Sequence, residues 1–251
     1  MSEKVKIMGI VNLNGDSFYA GSRVCGIRQF KSRVRQMTSE GADIIDIGAC
    51  SSRPGSVYPG EREEWRRLRP YLRCIRRHFP TVRFSIDTFS SKIVKKAFRR
   101  IGSFVVNDIS AGEADPEMLP LVARLGLEYV AMHHRGCNAS QDIVADVAEY
   151  FNEFALRAAK AGLKEWILDP GFGFGKDVAQ NLELLQRLPE LQKAGHPILA
   201  GISRKRMTFQ PAGLTPEEAL EETCRLNKTA IEGGALYLRV HDVAAAKALL
   251  E

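Results

Sequence analysis

The stretch GADIIDIGACSSRPGS (41–56) decides how this chain is read. Gly41 follows a segment with helical spacing (26–40), where a left-handed C-cap favours glycine. Ile44, Ile45 and Ile47, with Asp46 among them, then form a short apolar run of strand length. Beyond the run, Ser51, Ser52, Arg53, Pro54 and Gly55 make a polar loop. Proline and glycine alone predict a turn there, but the arginine held beside Pro54 makes the loop a candidate mobile active-site element. One unit therefore reads as helix, glycine, strand, polar loop.

The unit repeats along the chain. Apolar runs recur at VKIMGIVN (5–12), ADIIDIGA (42–49), RFSIDT (83–88), FVVNDIS (104–110), EYVAMHH (128–134), EWILDP (165–170), PILAGIS (197–203) and ALYLRVHD (235–242). Segments with helical spacing separate them, among them 26–40, 61–79, 90–100, 140–161, 177–193 and 215–232. Gly102, Gly126, Gly162, Gly195 and Gly233–Gly234 repeat the role of Gly41. Eight strand-then-helix units in 251 residues have the length and order of a (β/α)8 TIM barrel, an α/β fold, and no low-complexity linker divides the chain. The expectation is one domain over residues 1–251; an open, doubly wound sheet is the rival.

Every predicted strand ends in a polar group. In order these are Asn12, Asp46, Asp87, Asn107 with Asp108, His133, Asp169, Ser203 with Arg204 and Lys205, then Arg239 and His241. One polar strand end is ordinary turn chemistry, but a full set is hard to assign to turns. In a barrel of this type the active site is built at the C-terminal ends of the strands. Asp87, Asn107 and Asp169 suit a flat, amidine-like heterocycle, whereas Arg53, Lys205, Arg239 and His241 suit phosphate. A substrate with a polar ring and an anionic group is implied.

Composition narrows the class further. Hydrophobic content of 45% and charged content of 26% exclude disordered and collagen-like chains. No apolar run approaches the roughly 20 residues of a membrane span, and Ile7–Val11 is too short for a secretory core. Cys25, Cys50, Cys74, Cys137 and Cys224 are scattered without a CxxC pair, as expected of reduced thiols in a cytoplasmic protein. The net charge of +6 favours an anionic partner. Much of it sits on the predicted helix 61–79, in Arg66, Arg67, Arg69, Arg73, Arg76 and Arg77. No aromatics interleave with these arginines, so they read as a solvated helix face rather than a nucleic-acid platform.

Two motifs resist simpler assignments. DPGFGFGK (169–176) resembles a phosphate loop, but Pro170 stands where a Walker glycine is required and Asp177 replaces its Ser/Thr. It reads instead as a glycine loop that lets backbone approach a ligand while Phe172 or Phe174 packs on it. His133 and His134 suggest a metal, yet adjacent strand residues point to opposite faces and no HxH ends the first strand. SRK (203–205), placed at the head of the next helix, offers a hydroxyl, two cations and exposed amides to an anion. Arg239 and His241, two apart on one strand face, point the same way.

Taken together, IMGIVN…DSF, GADIIDIG…S.RPG, SIDT, VNDISAG…DPEMLPLVARLG, MHHRG, ILDPGFGFGK…NLELL, GISRK and LRVHD resemble the dihydropteroate synthases of the pterin-binding barrel family over nearly the whole chain. The resemblance implies condensation of a hydroxymethyl-pterin pyrophosphate with para-aminobenzoate, releasing pyrophosphate with the help of Mg2+. By position it implies that Asp87, Asn107, Asp169 and Lys205 hydrogen-bond the pterin edge, flanked by Met132 and Phe174. Asn12, Arg239 and His241 would hold the pyrophosphate, with Asn12 also touching Mg2+. Ser203 would receive the aminobenzoate carboxylate in a pocket shaped by Phe18, Ser52 and Pro54. Asp16 and Arg53 would belong to two closing loops. A homodimer is expected with it, and no nucleic-acid or membrane partner.

Two loops depart from the family pattern. Asn14-Gly15 stand where the family usually has Thr-Pro, which removes a fixed φ. Ala49, Cys50 and Ser52 stand where it usually has Gly, Glu and Thr, so one loop carboxylate is gone. Two other readings stay beside the synthase: a methyltetrahydrofolate-binding methyltransferase domain, and a pterin-binding homologue whose loops impair synthesis. Lys205 and Arg239-Val240-His241 argue against the first, because a methyl donor has no pyrophosphate to hold.

Overall fold

A computed structural model describes residues 4–13, 24, 26–50, 56–136 and 142–251. Eight parallel strands close into a barrel in sequence order, with β8 paired to β1. They are β1 (Lys6–Asn12), β2 (Ile44–Gly48), β3 (Phe84–Asp87), β4 (Val105–Asp108), β5 (Glu128–Met132), β6 (Ile167–Asp169), β7 (Ile198–Ala200) and β8 (Ala235–Val240). Around them run α1 (Ile27–Ser39), α2 (Glu61–His78), α3 (Ser91–Ile101), α4 (Met118–Leu125), α5 (Ile143–Ala161), α6 (Val178–Gln186), α7 (Arg206–Phe209), α8 (Leu220–Glu232) and α9 (Val243–Ala248). This is the (β/α)8 architecture expected, and the open sheet is excluded by closure.

Strand alternation sorts the side chains into two cores. One parity faces outward: Ile7, Val11, Ile45, Ile47, Phe84, Ile86, Val106, Tyr129 and Leu168 pack under the helices. The other parity fills the barrel floor with Met8, Ile44, Val105, Val130, Ile167, Leu199 and Tyr237. Each such aliphatic side chain contributes about 1.5–3 kcal/mol when withdrawn from water. The floor is thus a packed plug, and everything above it is mouth.

Helix ends follow local chemistry. Asp142 caps α5 by accepting from the Val144 and Ala145 amides, and Gly162 closes it in the left-handed region. Asp177, out of place in a Walker loop, is the N-cap of α6 in a reciprocal capping box with Gln180. The predicted helix over 177–193 is two elements. Pro189 lacks an amide hydrogen, so α6 stops at Gln186 and a 3-10 turn (Leu188–Ala194) follows. On α2, Arg66, Arg69, Arg73, Arg76 and Arg77 are exposed, as a solvated face requires. No helix of the described residues is long and apolar enough to cross a membrane.

Candidate active site

The mouth is built two residues above the floor. Adding two to Ile44, Val105, Val130, Ile167 and Tyr237 gives Asp46, Asn107, Met132, Asp169 and Arg239; adding four to Met8 gives Asn12. Register then aligns Asn12 with Gly48, Gly48 with Asp87, Asp87 with Asn107, and Met132 with Asp169. Gly48 interrupts the polar row, and a β-carbon there would lie 3.4 Å from Asp87 Cβ. Its missing side chain leaves room beside Asp87.

Arg239 is the centre of this layer. Its Nε donates to Asp46 Oδ2 at 2.8 Å and its Nη2 lies 2.7 Å from the same oxygen, while Asp87 Oδ2 is 3.5 Å away. Asn107 Nδ2 also donates to Asp46 Oδ2, at 3.2 Å. Burial opposes the charge on Arg239, but Asp46 and Asp87 outweigh it and hold the guanidinium protonated. Burial and the charge of Asp46 push Asp87 up to about 7, with Arg239 opposing. Asp87 therefore exchanges between neutral and ionised forms near neutrality.

Opposite this cluster stand Asp169 and Lys205. Asp169 Oδ1 accepts from the Gly171 amide at 2.8 Å, and burial raises its carboxyl while Lys205 opposes. Lys205 Nζ donates to the Phe172 carbonyl and sits 4.8 Å from the Phe174 ring centroid. Burial brings its ammonium down to about 8, against the attraction of Asp169. Two glycines of the 169–176 loop pack tightly against the protein itself. Gly171, at φ +69°, would place a β-carbon 1.8 Å from the His133 carbonyl oxygen, and one at Gly173 would lie 3.0 Å from Lys205 Cδ. Phe172 is fully buried in the outer core, so Phe174 alone is left to flank the mouth beside Met132.

His241 and Ser203 form the third corner. The His241 amide donates to Ser203 Oγ at 3.2 Å, and that oxygen lies 3.1 Å from His241 Nδ1. Ser203 Oγ can donate its proton to Nδ1, the arrangement in which His241 carries its hydrogen on Nε2. Burial, joined by Arg239 and Arg204, lowers His241 to about 3, so it is a neutral donor and not a cation. Ser203 does not head a long helix: α7 begins at Arg206 and spans only four residues. Arg204, at φ +54°, turns away from the mouth and grips Asp242 through Nε (2.8 Å) and Nη2 (3.1 Å).

The structure thus brings Asn12, Asp87, Asn107, Met132, Asp169, Phe174, Ser203, Lys205, Arg239 and His241 to one end of the barrel. Asp16, Phe18, Ser52, Arg53 and Pro54 lie outside the described residues. Three polar strand ends do not join the mouth. Asp108 accepts from the Ser110 and Gly112 amides and from Tyr129 Oη at 2.6 Å, bracing its own loop. Arg204 is committed to Asp242. His133 has the outward parity and is buried, with Nε2 3.2 Å from Asp146 Oδ2 but off the hydrogen-bonding direction. Burial lowers it to about 3, so it is neutral too. Asp46 is the converse case, a strand-end carboxylate with no role assigned from the sequence that underlies the whole cluster. Its signal was a lone Asp within Ile44–Gly48. Cys50, which replaces the loop carboxylate, is pushed up to about 12 by burial and facing Glu64, so the thiol brings no charge.

A closed parallel barrel with acids, an amide and cations gathered over its floor defines the class. The family model described as "Pterin binding enzyme" matches residues 8–241, and the chain belongs to that family. A dihydropteroate synthase of Streptococcus pyogenes serotype M3 is 36% identical over 244 residues, covering 95% of this chain and 91% of the relative. The mitochondrial folate synthesis bifunctional protein of Arabidopsis thaliana is 38% identical over 266 residues. That alignment takes in 96% of this chain but 48% of the relative, so the chain spans about half its length. The solved dihydropteroate synthase of Xanthomonas albilineans with 4-aminobenzoic acid superposes with a TM-score of 0.90 at 36% identity, covering 98% of this chain and 91% of that one. Within the family the chain falls with the dihydropteroate synthases, transferases of folate synthesis.

Proposed function

We propose that the chain condenses 6-hydroxymethyl-7,8-dihydropterin pyrophosphate with para-aminobenzoate at the barrel mouth. One arrangement supports this most: the acceptors of Asp87, Asn107 and Asp169 share a cleft with Arg239, Lys205 and the neutral donor His241. A flat ring rich in N–H donors meets the three acceptors, and Lys205 meets a ring acceptor. Met132 and Phe174 flank the faces. The pyrophosphate falls to Asn12, Arg239 and His241.

The chemistry asks little of a base. The bond between the methylene carbon and the pyrophosphate oxygen breaks, and the oxygen leaves with the electron pair. The amine nitrogen of para-aminobenzoate forms the new bond to that carbon and then loses a proton to solvent. Arg239 and the Nε2 hydrogen of His241 stabilise the leaving charge as it develops. Ser203 orients His241, and the aminobenzoate pocket is proposed around Ser203, Phe18, Ser52 and Pro54. Asp16 and Arg53 are proposed for the closing loops.

Mg2+ belongs to the proposal as a companion of the pyrophosphate. Among the described residues no group of three His, Cys, Asp or Glu side chains could hold a metal. Asn12 offers one amide oxygen at the end of β1, a donor set that suits an ion keeping its waters and taking its other oxygens from phosphate. Such an ion offsets leaving-group charge. A homodimer is carried from the resemblance alone. Cytoplasmic location is proposed with it, supported by free Cys50, Cys74 and Cys224.

The test is pyrophosphate release from the pterin pyrophosphate in Mg2+, with and without para-aminobenzoate. Release that requires para-aminobenzoate and matches 7,8-dihydropteroate formed is expected. Pterin binding with no release would overturn the synthase reading in favour of a non-catalytic homologue.

A further inference from the structure

We propose that Asp46 is a positioning residue serving both halves of the substrate through one carboxylate oxygen: it holds the Arg239 guanidinium for the leaving group and turns the Asn107 amide so that its carbonyl oxygen meets the ring. The inference rests on the function proposed above.

Asp46 acts through its two neighbours. It is fully buried on β2, below the row of Gly48 and Asp87. Its Oδ2 accepts hydrogen bonds from Arg239 Nε (2.8 Å) and Asn107 Nδ2 (3.2 Å), and Arg239 Nη2 lies 2.7 Å from it in an ion pair. A carboxylate only accepts, so Asn107 must turn its NH2 toward Asp46. That leaves Asn107 Oδ1, the one acceptor of the side chain, for another donor. An asparagine without such a neighbour presents either end. The same oxygen faces two of the three guanidinium nitrogens of Arg239, whereas Asp87 Oδ2 stands 3.5 Å from Nη2, one of those two, beyond a strong hydrogen bond. Asp46 is the holder and Asp87 the neighbour.

The division has a consequence for Asp87. With the charge of Asp46 removed, Asp87 is the remaining carboxylate within ion-pair reach of Arg239 among the described residues. The guanidinium then pairs with Asp87, and an acceptor is withdrawn from the ring. Both halves of the substrate are then weakened through one residue.

The experiment uses Asp46→Asn, which keeps the shape and removes the charge, beside Asp87→Asn. Binding of inorganic pyrophosphate with Mg2+, and of the hydroxymethyl pterin without pyrophosphate, is measured by calorimetry. Asp46→Asn is expected to weaken both by tenfold or more. Asp87→Asn is expected to weaken the pterin while leaving pyrophosphate within about threefold of wild type. The pH midpoint of pterin binding gives a readout that a merely structural role would not move. Asp87 is faced by Asp46, Arg239, Glu64 and Asp108. Asp46→Asn removes a like charge and hands it Arg239, so the midpoint moves to lower pH. Pyrophosphate binding unchanged in Asp46→Asn, or an unmoved midpoint, would overturn the assignment. If Asp46→Asn does not fold, Asp87→Asn still decides: loss of pyrophosphate binding there would make Asp87 the holder. Failure of the wild-type protein to bind either ligand would instead sink the proposed function.

Discussion

Replacing Asp87 with asparagine removes a carboxylate that the barrel buries at a cost, so stability and ligand binding should move in opposite directions. In the fold Asp87 rises from 3.8 to about 7, chiefly through burial and then through the charge of Asp46. A folded value above the unfolded one means that the folded chain binds the proton more tightly. The stabilising contribution is therefore complete below pH 3.8 and is lost as pH rises through about 7. A rise of about three pH units at about 1.4 kcal/mol each bounds the difference near 4 kcal/mol. Burying the asparagine amide takes part of this, leaving roughly 1–3 kcal/mol gained by Asp87→Asn at pH 8. For a chain of this size that is several degrees in Tm. Thermal unfolding of wild type and variant at pH 5 and pH 8 reads it directly. The variant should unfold later at pH 8, and the gap should narrow toward pH 5, while pterin affinity falls at both. A gap of equal size at both values, or a less stable variant at pH 8, would refute the reasoning.

Three further outcomes are expected. Gly171→Ala combines a left-handed backbone at φ +69° with a β-carbon 1.8 Å from the His133 carbonyl oxygen, so Tm should fall sharply and soluble yield with it. Because burial brings Lys205 down to about 8, pterin affinity should decline as pH rises through that value, and Lys205→Met should erase this alkaline limb along with most of the affinity. Arg204→Ala strips a buried partner from Asp242 and two donors from the Pro216 and Glu217 carbonyls, which costs about 3–5 kcal/mol in urea unfolding, whereas Arg66→Ala at the exposed Glu63 pair should be indistinguishable from wild type.

How much of this was legible in the sequence depended on whether a residue's partner lay nearby. The strands showed themselves as short apolar runs, and glycines marked the helix ends. Parity separated Asn107 from Asp108 once Val105 was known to face the floor: two steps on lies the mouth, three steps on lies the outside. The work of Asp46 was hidden because its partner Arg239 is 193 positions away, joined only by closure of β8 onto the first strands. Arg204 and Lys205 are adjacent cations in the sequence, yet a left-handed φ sends the first to Asp242 and leaves the second in the mouth. The glycine loop announced close approach but not its target, since the His133 carbonyl arrives from a neighbouring strand end. Pro189 was a local signal that the helical spacing of 177–193 overrode.

The central claim is that the acids, amide and cations above the barrel floor form one site for one substrate. A crystal structure of the chain with the pterin pyrophosphate bound tests it most directly. The ring edge should lie against Asp87, Asn107, Asp169 and Lys205, with the phosphates on Arg239 and His241 and the Arg239–Asp46 pair intact. A ligand seated instead in the groove of Glu128, Trp166, His196 and Tyr237, at the opposite end of the barrel, or in the mouth with its phosphates away from Arg239, would contradict the account.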